Sequence, residues 1–256
     1  MNKVFGAALM AASLTVAAGP AFADEMVSEN RAVDARVVKI KLGGVINLSV
    51  KQGATATLTL HGDKKYVTKV TTRQHGDTLV IESDDSGWNF GRNDKRKLRA
   101  ELTLPKLNEF VSHGVGATDV SGFSGDQVKL VLDGAGAITV TSNYKIVDAR
   151  LGGVGSMKLN TGNTDKVELD MRGAGRIEIN GESKLLRATL GGVGSLEAQQ
   201  LRADTVDLDM TGLGGATVYA KNSANLNLAG LGSATVYGKP ANRNATARGM
   251  GSVSWN

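Results

Sequence analysis

Eight Gly-x-Gly steps, spaced almost evenly, occupy the second half of the chain and leave it few ways to fold. They stand at Gly114/Gly116, Gly134/Gly136, Gly153/Gly155, Gly173/Gly175, Gly192/Gly194, Gly212/Gly214, Gly230/Gly232 and Gly249/Gly251. Successive copies lie 20, 19, 20, 19, 20, 18 and 19 residues apart. A period this regular marks an architecture in which one supersecondary unit is laid upon the next. A slower rhythm runs above it. Leu151-Gly-Gly-Val-Gly-Ser156 returns as Leu190-Gly-Gly-Val-Gly-Ser195 after 39 residues, so two coils form one larger unit.

Two and four residues after each second glycine stand Thr118/Val120, Ile138/Val140, Met157/Leu159, Ile177/Ile179, Leu196/Ala198, Ala216/Val218, Ala234/Val236 and Val253/Trp255. Polar residues such as Thr139/Thr141 and Lys158/Asn160 alternate with them. Counting back two, four and six from the first glycine gives apolar sets again, from Leu132/Leu130/Val128 to Leu228/Leu226/Ala224. This period-two alternation predicts a strand with one buried face on each side of the Gly-x-Gly. Glycine suits the corner between them because it tolerates positive φ and close backbone approach.

One coil cannot bury its apolar face alone, whereas stacked coils pair their strands in parallel around a common aliphatic column. The expected fold is all-β: a single-stranded, right-handed parallel β-helix, eight coils reaching roughly 35 to 40 Å at ~4.8 Å per coil. An antiparallel β-sandwich also has short strands and frequent turns, but it gives no reason for a fixed period.

Ahead of the repeats, runs at Val37 to Val50, Thr55 to Leu60, Tyr66 to Thr72, Thr78 to Glu82 and Leu98 to Leu104 read as less regular strands that cap one end. Polar turns at Gly62-Asp63 and Gly76-Asp77 separate some of them. The stretch from Asp84 to Lys97 lacks alternation and mixes charge with Trp88 and Phe90, which marks an exposed loop and a candidate contact site.

Lys3, the apolar run Val4 to Ala18, Gly19-Pro20 and Ala21-Phe22-Ala23 follow the order of a secretory signal, with cleavage expected after Ala23. The expected organisation is a signal peptide over 1–23 and one domain over 24–256, irregular over 24–110 and repetitive over 111–256. No later run reaches the roughly 18 apolar residues of a membrane helix, so no integral membrane segment is expected in the mature chain. The absence of cysteine removes disulfides, thiolate metal sites and a cysteine nucleophile. The 30 Lys+Arg and 25 Asp+Glu are read as interspersed, which gives no nucleic-acid surface.

The residues offer little chemistry. A phosphate-cradling glycine loop needs a strand on one side and a helix on the other, and here strands flank every copy. Calcium-binding nonapeptide repeats need Asp where Met157 and Leu196 stand. His61, His75 and His113 read as turn residues without metal-ligand or triad spacing. Outward positions place Arg150 beside Asp170, Arg187 beside Asp207 and Asp148 beside Glu168, which reads as a charge ladder rather than a glycosidase dyad. No catalytic residue, metal or cofactor is assigned.

Five positions after each second glycine runs an outward column: Ser121, Thr141, Asn160, Asn180, Gln199, Tyr219, Tyr237 and Asn256. Stacked amides form hydrogen-bonded ladders, and paired tyrosines stack. The flat patch of Thr217, Tyr219, Thr235 and Tyr237 is the candidate ligand contact, since tyrosine offers an apolar face and a hydroxyl.

Ile46-Asn47-Leu48-Ser49-Val50-Lys51-Gln52-Gly53 resembles the opening motif of the head GIN domain family, which is described as autotransporter adhesin heads and is otherwise of unknown function. Val45 departs from that pattern, because the family places Gly directly before Ile-Asn. Gly76-Asp77-Thr78-Leu79-Val80-Ile81, Leu102-Thr103-Leu104-Pro105-Lys106-Leu107 and Gly114-Val115-Gly116 continue the resemblance over the whole mature chain. It implies a β-helical head with a role in adhesion and carries over no catalytic residues. Nothing resembles a translocating outer-membrane barrel.

The expected function is an exported, non-enzymatic binding or structural surface, periplasmic or secreted, whose partner is an envelope or host glycan or protein. The competing readings are a polysaccharide-active β-helix enzyme and a periplasmic envelope-stress or assembly component.

Overall fold

The computed structural model describes residues 25–84 and 98–256, and its strands join one continuous ladder. In chain order they are β1 (Met26–Arg31), β2 (Lys39–Gly43), β3 (Asn47–Gln52), β4 (Thr57–Asp63), β5 (Val70–His75), β6 (Thr78–Ser83), β7 (Arg99–Leu104), β8 (Glu109–Ser112), β9 (Val115–Leu132), β10 (Ala135–Leu151), β11 (Val154–Met171), β12 (Ala174–Leu190), β13 (Val193–Met210), β14 (Leu213–Gly230), β15 (Ser233–Tyr237), β16 (Asn242–Gly249) and β17 (Ser252–Trp255). A single turn of helix, α1 (Lys64–Val67), follows β4.

The repeats form the expected parallel β-solenoid. Each of β10 to β13 is a whole coil, starting at the middle residue of one Gly-x-Gly and ending just before the next. It runs along a leading face, bends near its middle and returns along a trailing face. β10 pairs in parallel with β9 and β11 on both faces, and the register shifts only near the bend. The inner leading face carries Ile138, Met157, Ile177 and Leu196; the inner trailing face carries Leu151, Met171, Leu190 and Met210, all buried. Burying each such side chain contributes about 1.5–3 kcal/mol, and only stacking can bury them.

Close approach, more than turn conformation, fixes the corner glycines. A Cβ built on Gly155, Gly175 or Gly194 would sit 1.9 Å from the carbonyl oxygen of the glycine one coil earlier. Gly153, Gly173 and Gly192 form a second such column, with gaps of 2.0, 1.9 and 1.9 Å. No side chain fits there without parting the coils.

The first coils are stacked out of chain order. β2 and β3 flank a corner at Gly44, where φ is 76°, and form a coil of their own. One neighbouring coil is β8 with the start of β9, which pairs with β2 and β3 in parallel. The other is β6 with β7, which pairs with the same two strands from the opposite side. The opening coil is therefore enclosed by two coils that come later in the chain. Antiparallel strands finish this end: β4 on β7, β1 on β4 and β5 on β6. α1 adds the buried Tyr66 and Val67.

Several expectations for this region change in detail. The Val37 to Val50 run is broken at the Gly44 corner, and the Tyr66 to Thr72 run begins in α1 rather than in a strand. Gly62-Asp63 is the end of β4, and the Asp63 carboxylate accepts a 3.0 Å bond from the Lys65 amide to cap α1. Gly76-Asp77 is the expected turn, joining β5 to β6 as a two-residue hairpin with φ 61° at Gly76. His61 lies within β4 and His75 ends β5, whereas only His113 lies between strands.

Candidate functional site

The leading face brings the four candidate contact residues together. Thr217 pairs with Thr235 and Tyr219 with Tyr237 across the β14–β15 ladder, giving a two-by-two patch that faces outward and is half-buried. Alternation puts them there, because Ala216, Val218, Ala234 and Val236 between and beside them fill the core. The Thr217 hydroxyl donates to the Leu196 carbonyl at 3.4 Å. The Arg202 guanidinium lies 5.3 Å from the centre of the Tyr219 ring, on the side of the preceding coil. On the far side, Gly238 leaves only enough room for the ring edge, since a Cβ there would lie 3.0 Å from Tyr219 Cζ.

The outward column continues below this patch, with one correction. Asn160 donates to Thr141 Oγ1 at 3.1 Å, and Asn180 donates to Asn160 Oδ1 at 2.7 Å, so the amide ladder exists. The next partner of Asn180 is Gln200, not Gln199, and Arg202 is the residue beside Tyr219. The reason lies in coil length: a 20-residue step precedes an 18-residue step here, and the surplus is absorbed between Ala198 and Arg202. Leu201 turns inward within that shift and is buried. Trp88 and Phe90 lie outside the described residues.

The trailing face carries a second polar surface. One outward column runs Lys129, Asp148, Glu168, Arg187, Asp207, Asn225 and Asn244, and its neighbour runs Arg150, Asp170, Thr189, Asp209, Asn227 and Thr246. The neighbours expected at Arg150/Asp170, Arg187/Asp207 and Asp148/Glu168 are all in register. Burial, then the nearby Glu168 charge, pushes the Asp148 carboxyl above the usual range. Further along, Asn225 donates to Asp207 at 3.0 Å, Asn227 to Asp209 at 3.2 Å and Asn244 to Asn225 at 2.9 Å. These residues line a shallow groove of about 400 Å³ in which a row of two carboxylates is followed by rows of amides. The amide half of this grid was missed in the sequence; its signal is the pair of asparagines three and five positions before Gly230.

Among the described residues, no three His, Asp or Glu side chains gather as they would around a metal ion. No described helix is long and apolar enough to cross a membrane.

The profile of the family described as "Putative auto-transporter adhesin, head GIN domain" matches residues 38–240. Solved structures share the fold. A "putative adhesin" from Parabacteroides merdae superposes with a TM-score of 0.75 at 18% identity, covering 91% of this chain and 96% of that one. A "putative adhesin" from Bacteroides fragilis gives 0.67 at 23% identity, covering 91% and 98%. A "Putative lipid binding protein" from Parabacteroides distasonis gives 0.66 at 16% identity, covering 90% and 96%. No curated protein matches the sequence.

Proposed function

The chain belongs to the "putative auto-transporter adhesin, head GIN domain" family, and from that premise we propose an exported, non-enzymatic binding head. Its ligand is an envelope or host glycan or protein, taken on the outward leading face near the end of the solenoid. The observation that carries this reading is the in-register patch of Thr217, Thr235, Tyr219 and Tyr237, braced by Arg202. Two phenol faces one coil apart, about 4.8 Å, with hydroxyls beside them, suit a sugar ring or an extended chain laid across the coils.

Export rests on the first 23 residues, with cleavage after Ala23 and one head spanning 24–256. A solenoid face is rigid and repetitive, which fits positioning a contact surface better than closing around a reacting bond. The lipid-binding name of one solved neighbour transfers nothing by itself at 16% identity.

The test is a glycan and envelope-protein binding screen, followed by Tyr219→Ala combined with Tyr237→Ala. At least a ten-fold loss of affinity for a confirmed ligand is expected, and unchanged affinity sinks the patch. Turnover of acidic or neutral glycans, with release of reducing ends or unsaturated products, overturns the non-enzymatic reading.

A further inference from the structure

The middle residues of the Gly-x-Gly corners are Val115, Ala135, Val154, Ala174, Val193, Leu213, Leu231 and Met250, apolar in every copy. All eight are exposed. Apart from Met26, the exposed large hydrophobics among the described residues are all at these corners, from 46% at Val115 through 62% at Val154 to 80% at Met250. Val115 to Leu213 stand in single file, each the ladder partner of the next. The eight corners span roughly 34 Å at ~4.8 Å per coil. Scattered apolar residues need no explanation, but a continuous line of them along one edge does.

Three properties say what this edge fits. First, it is convex. Glycines on both sides of each residue carry no side chain, so the apolar groups project as a blade one residue wide. A blade offers a flat protein surface, or a second blade, roughly a few hundred Å², well below the ~800 Å² per partner of a stable complex. A deformable apolar phase accepts the same shape on both flanks. Second, the amides along the regular coils of the blade are already satisfied. Ala135, Val154, Ala174, Val193 and Leu213 donate their amides to glycine carbonyls of the preceding coil at 3.0–3.1 Å. Entry into a dry medium would strand none of these donors.

Third, the charge around the blade is cationic. The positions two residues to either side of the eight corners hold Arg172, Arg176 and Arg248, against a single Asp133; His113 is there too, and the rest are Ala, Gly, Ser or Thr. Arg172 and Arg176 also reach Asp170 and Glu197 at 3.1 and 2.8 Å, which moderates the field midway along the blade. At the last corner Arg248 stands two residues before Met250. No acidic residue follows Asp209, and of the four cations beyond it Arg248 is the one that stands at a corner. The three largest apolar groups of the edge, Leu213, Leu231 and the 80%-exposed Met250, lie at this end. Apolar side chains flanked by basic ones are the composition of an interfacial contact with anionic lipid.

We propose that the corner edge docks on an anionic lipid bilayer, with Leu213, Leu231 and Met250 entering the interface and Arg248 meeting the headgroups. The contact is independent of the ligand patch, which lies on the leading face rather than at the corner.

The chain contains no cysteine, so a single introduced thiol reports one position. Full-length Val193→Cys and Met250→Cys proteins, and Asn163→Cys at the opposite bend, are labelled with an environment-sensitive fluorophore. They are mixed with phosphatidylcholine vesicles with and without 30% phosphatidylglycerol, a composition chosen for the assay. The expected result is a blue shift and shielding from an aqueous quencher at 250 and 193, with anionic vesicles and not at 163. Leu213→Ser/Leu231→Ser/Met250→Ser should weaken vesicle partitioning at least ten-fold with an unchanged circular dichroism spectrum. Equal responses at 163 and 250, or an unaffected triple variant, overturn the proposal. So does a shift that rises with protein concentration without vesicles, which would assign the edge to a second copy. Vesicle binding that survives loss of Tyr219 and Tyr237 separates this contact from the ligand patch.

Discussion

The hydroxyl of Tyr144 donates a hydrogen bond to the backbone carbonyl of Leu107, 37 residues earlier in the chain. It ties the bend of β10 to the segment that leads from β7 into β8, and the ring is buried. Burial raises the phenol to about 12, from the ordinary value near 10. The folded chain thus favours the neutral phenol. Its contribution is complete below pH 10 and is lost as pH rises from 10 toward 12. Tyr144→Phe should cost about 1 kcal/mol at pH 7 by leaving the Leu107 carbonyl without its partner. The variant should also lose less stability than the wild type between pH 10 and 12. Urea unfolding midpoints across that range check both effects.

Gly194, directly after the corner residue Val193, and Gly191, two residues before it, should respond very differently to alanine. A Cβ on Gly194 would lie 1.9 Å from the Gly175 carbonyl oxygen, whereas the nearest atom to one on Gly191 is 3.6 Å away. Gly194→Ala must part β12 from β13 and should cost about 2–3 kcal/mol, while Gly191→Ala should stay within about 0.5 kcal/mol of the wild type. Thermal melts of the two variants side by side decide it.

Asp148 is placed where its charge is unwelcome. Its carboxyl titrates above the usual range because of burial and then Glu168, so the folded state holds that proton more tightly than the unfolded chain does. The associated stability is present below the ordinary carboxylate pKa and is lost as pH rises through the elevated folded value. Asp148→Asn, a neutral isostere, should raise the melting temperature at pH 7, and the gain should vanish as pH falls below about 4. A stabilisation that persists at pH 3 would refute the electrostatic cause.

Removing residues 154–192 takes out 39 residues, two coils, and joins Gly153 to Val193, which recreates Leu-Gly-Gly-Val-Gly-Ser. The shortened chain should fold cooperatively, because the corner columns and both inner faces stay in phase. Asp148 would then stand beside Asp207, so a modest loss is expected from like charges in adjacent strands. Removing 39–52 instead should abolish folding, since those residues lie between two other coils. Circular dichroism and size-exclusion profiles of both deletions make the comparison.

The repeats could be read from the sequence because corner and core are both local. The period puts Met157, Ile177 and Leu196 in one column without knowledge of distant contacts, and the structure places them so. The slip at Gln199 could not be read by counting from the corner, since the bend absorbs the surplus residues of an uneven coil. Nor could the pairing of Ile40 with both Leu79 and Phe110 be read, because it is specified by packing between segments far apart in sequence. At the candidate patch, alternation sufficed to put Tyr219 beside Tyr237. The bracing Arg202 needed the actual register.

The enclosed position of β2 and β3 bears on how the molecule comes into being. In the repeats each strand waits only about one coil for its partner, so growth can proceed like thread on a spool. The opening coil has no neighbour until residues 78–83 and 99–121 have arrived, and it must meet both before its two edges are covered. Loop closure over that distance precedes any reward from contact, so this end is expected to fold as the slow, committing event and the repeats as its rapid sequel. Duplication of coil pairs could lengthen such a chain downstream of β9, whereas the interleaved start admits no such growth and sets where every later winding begins.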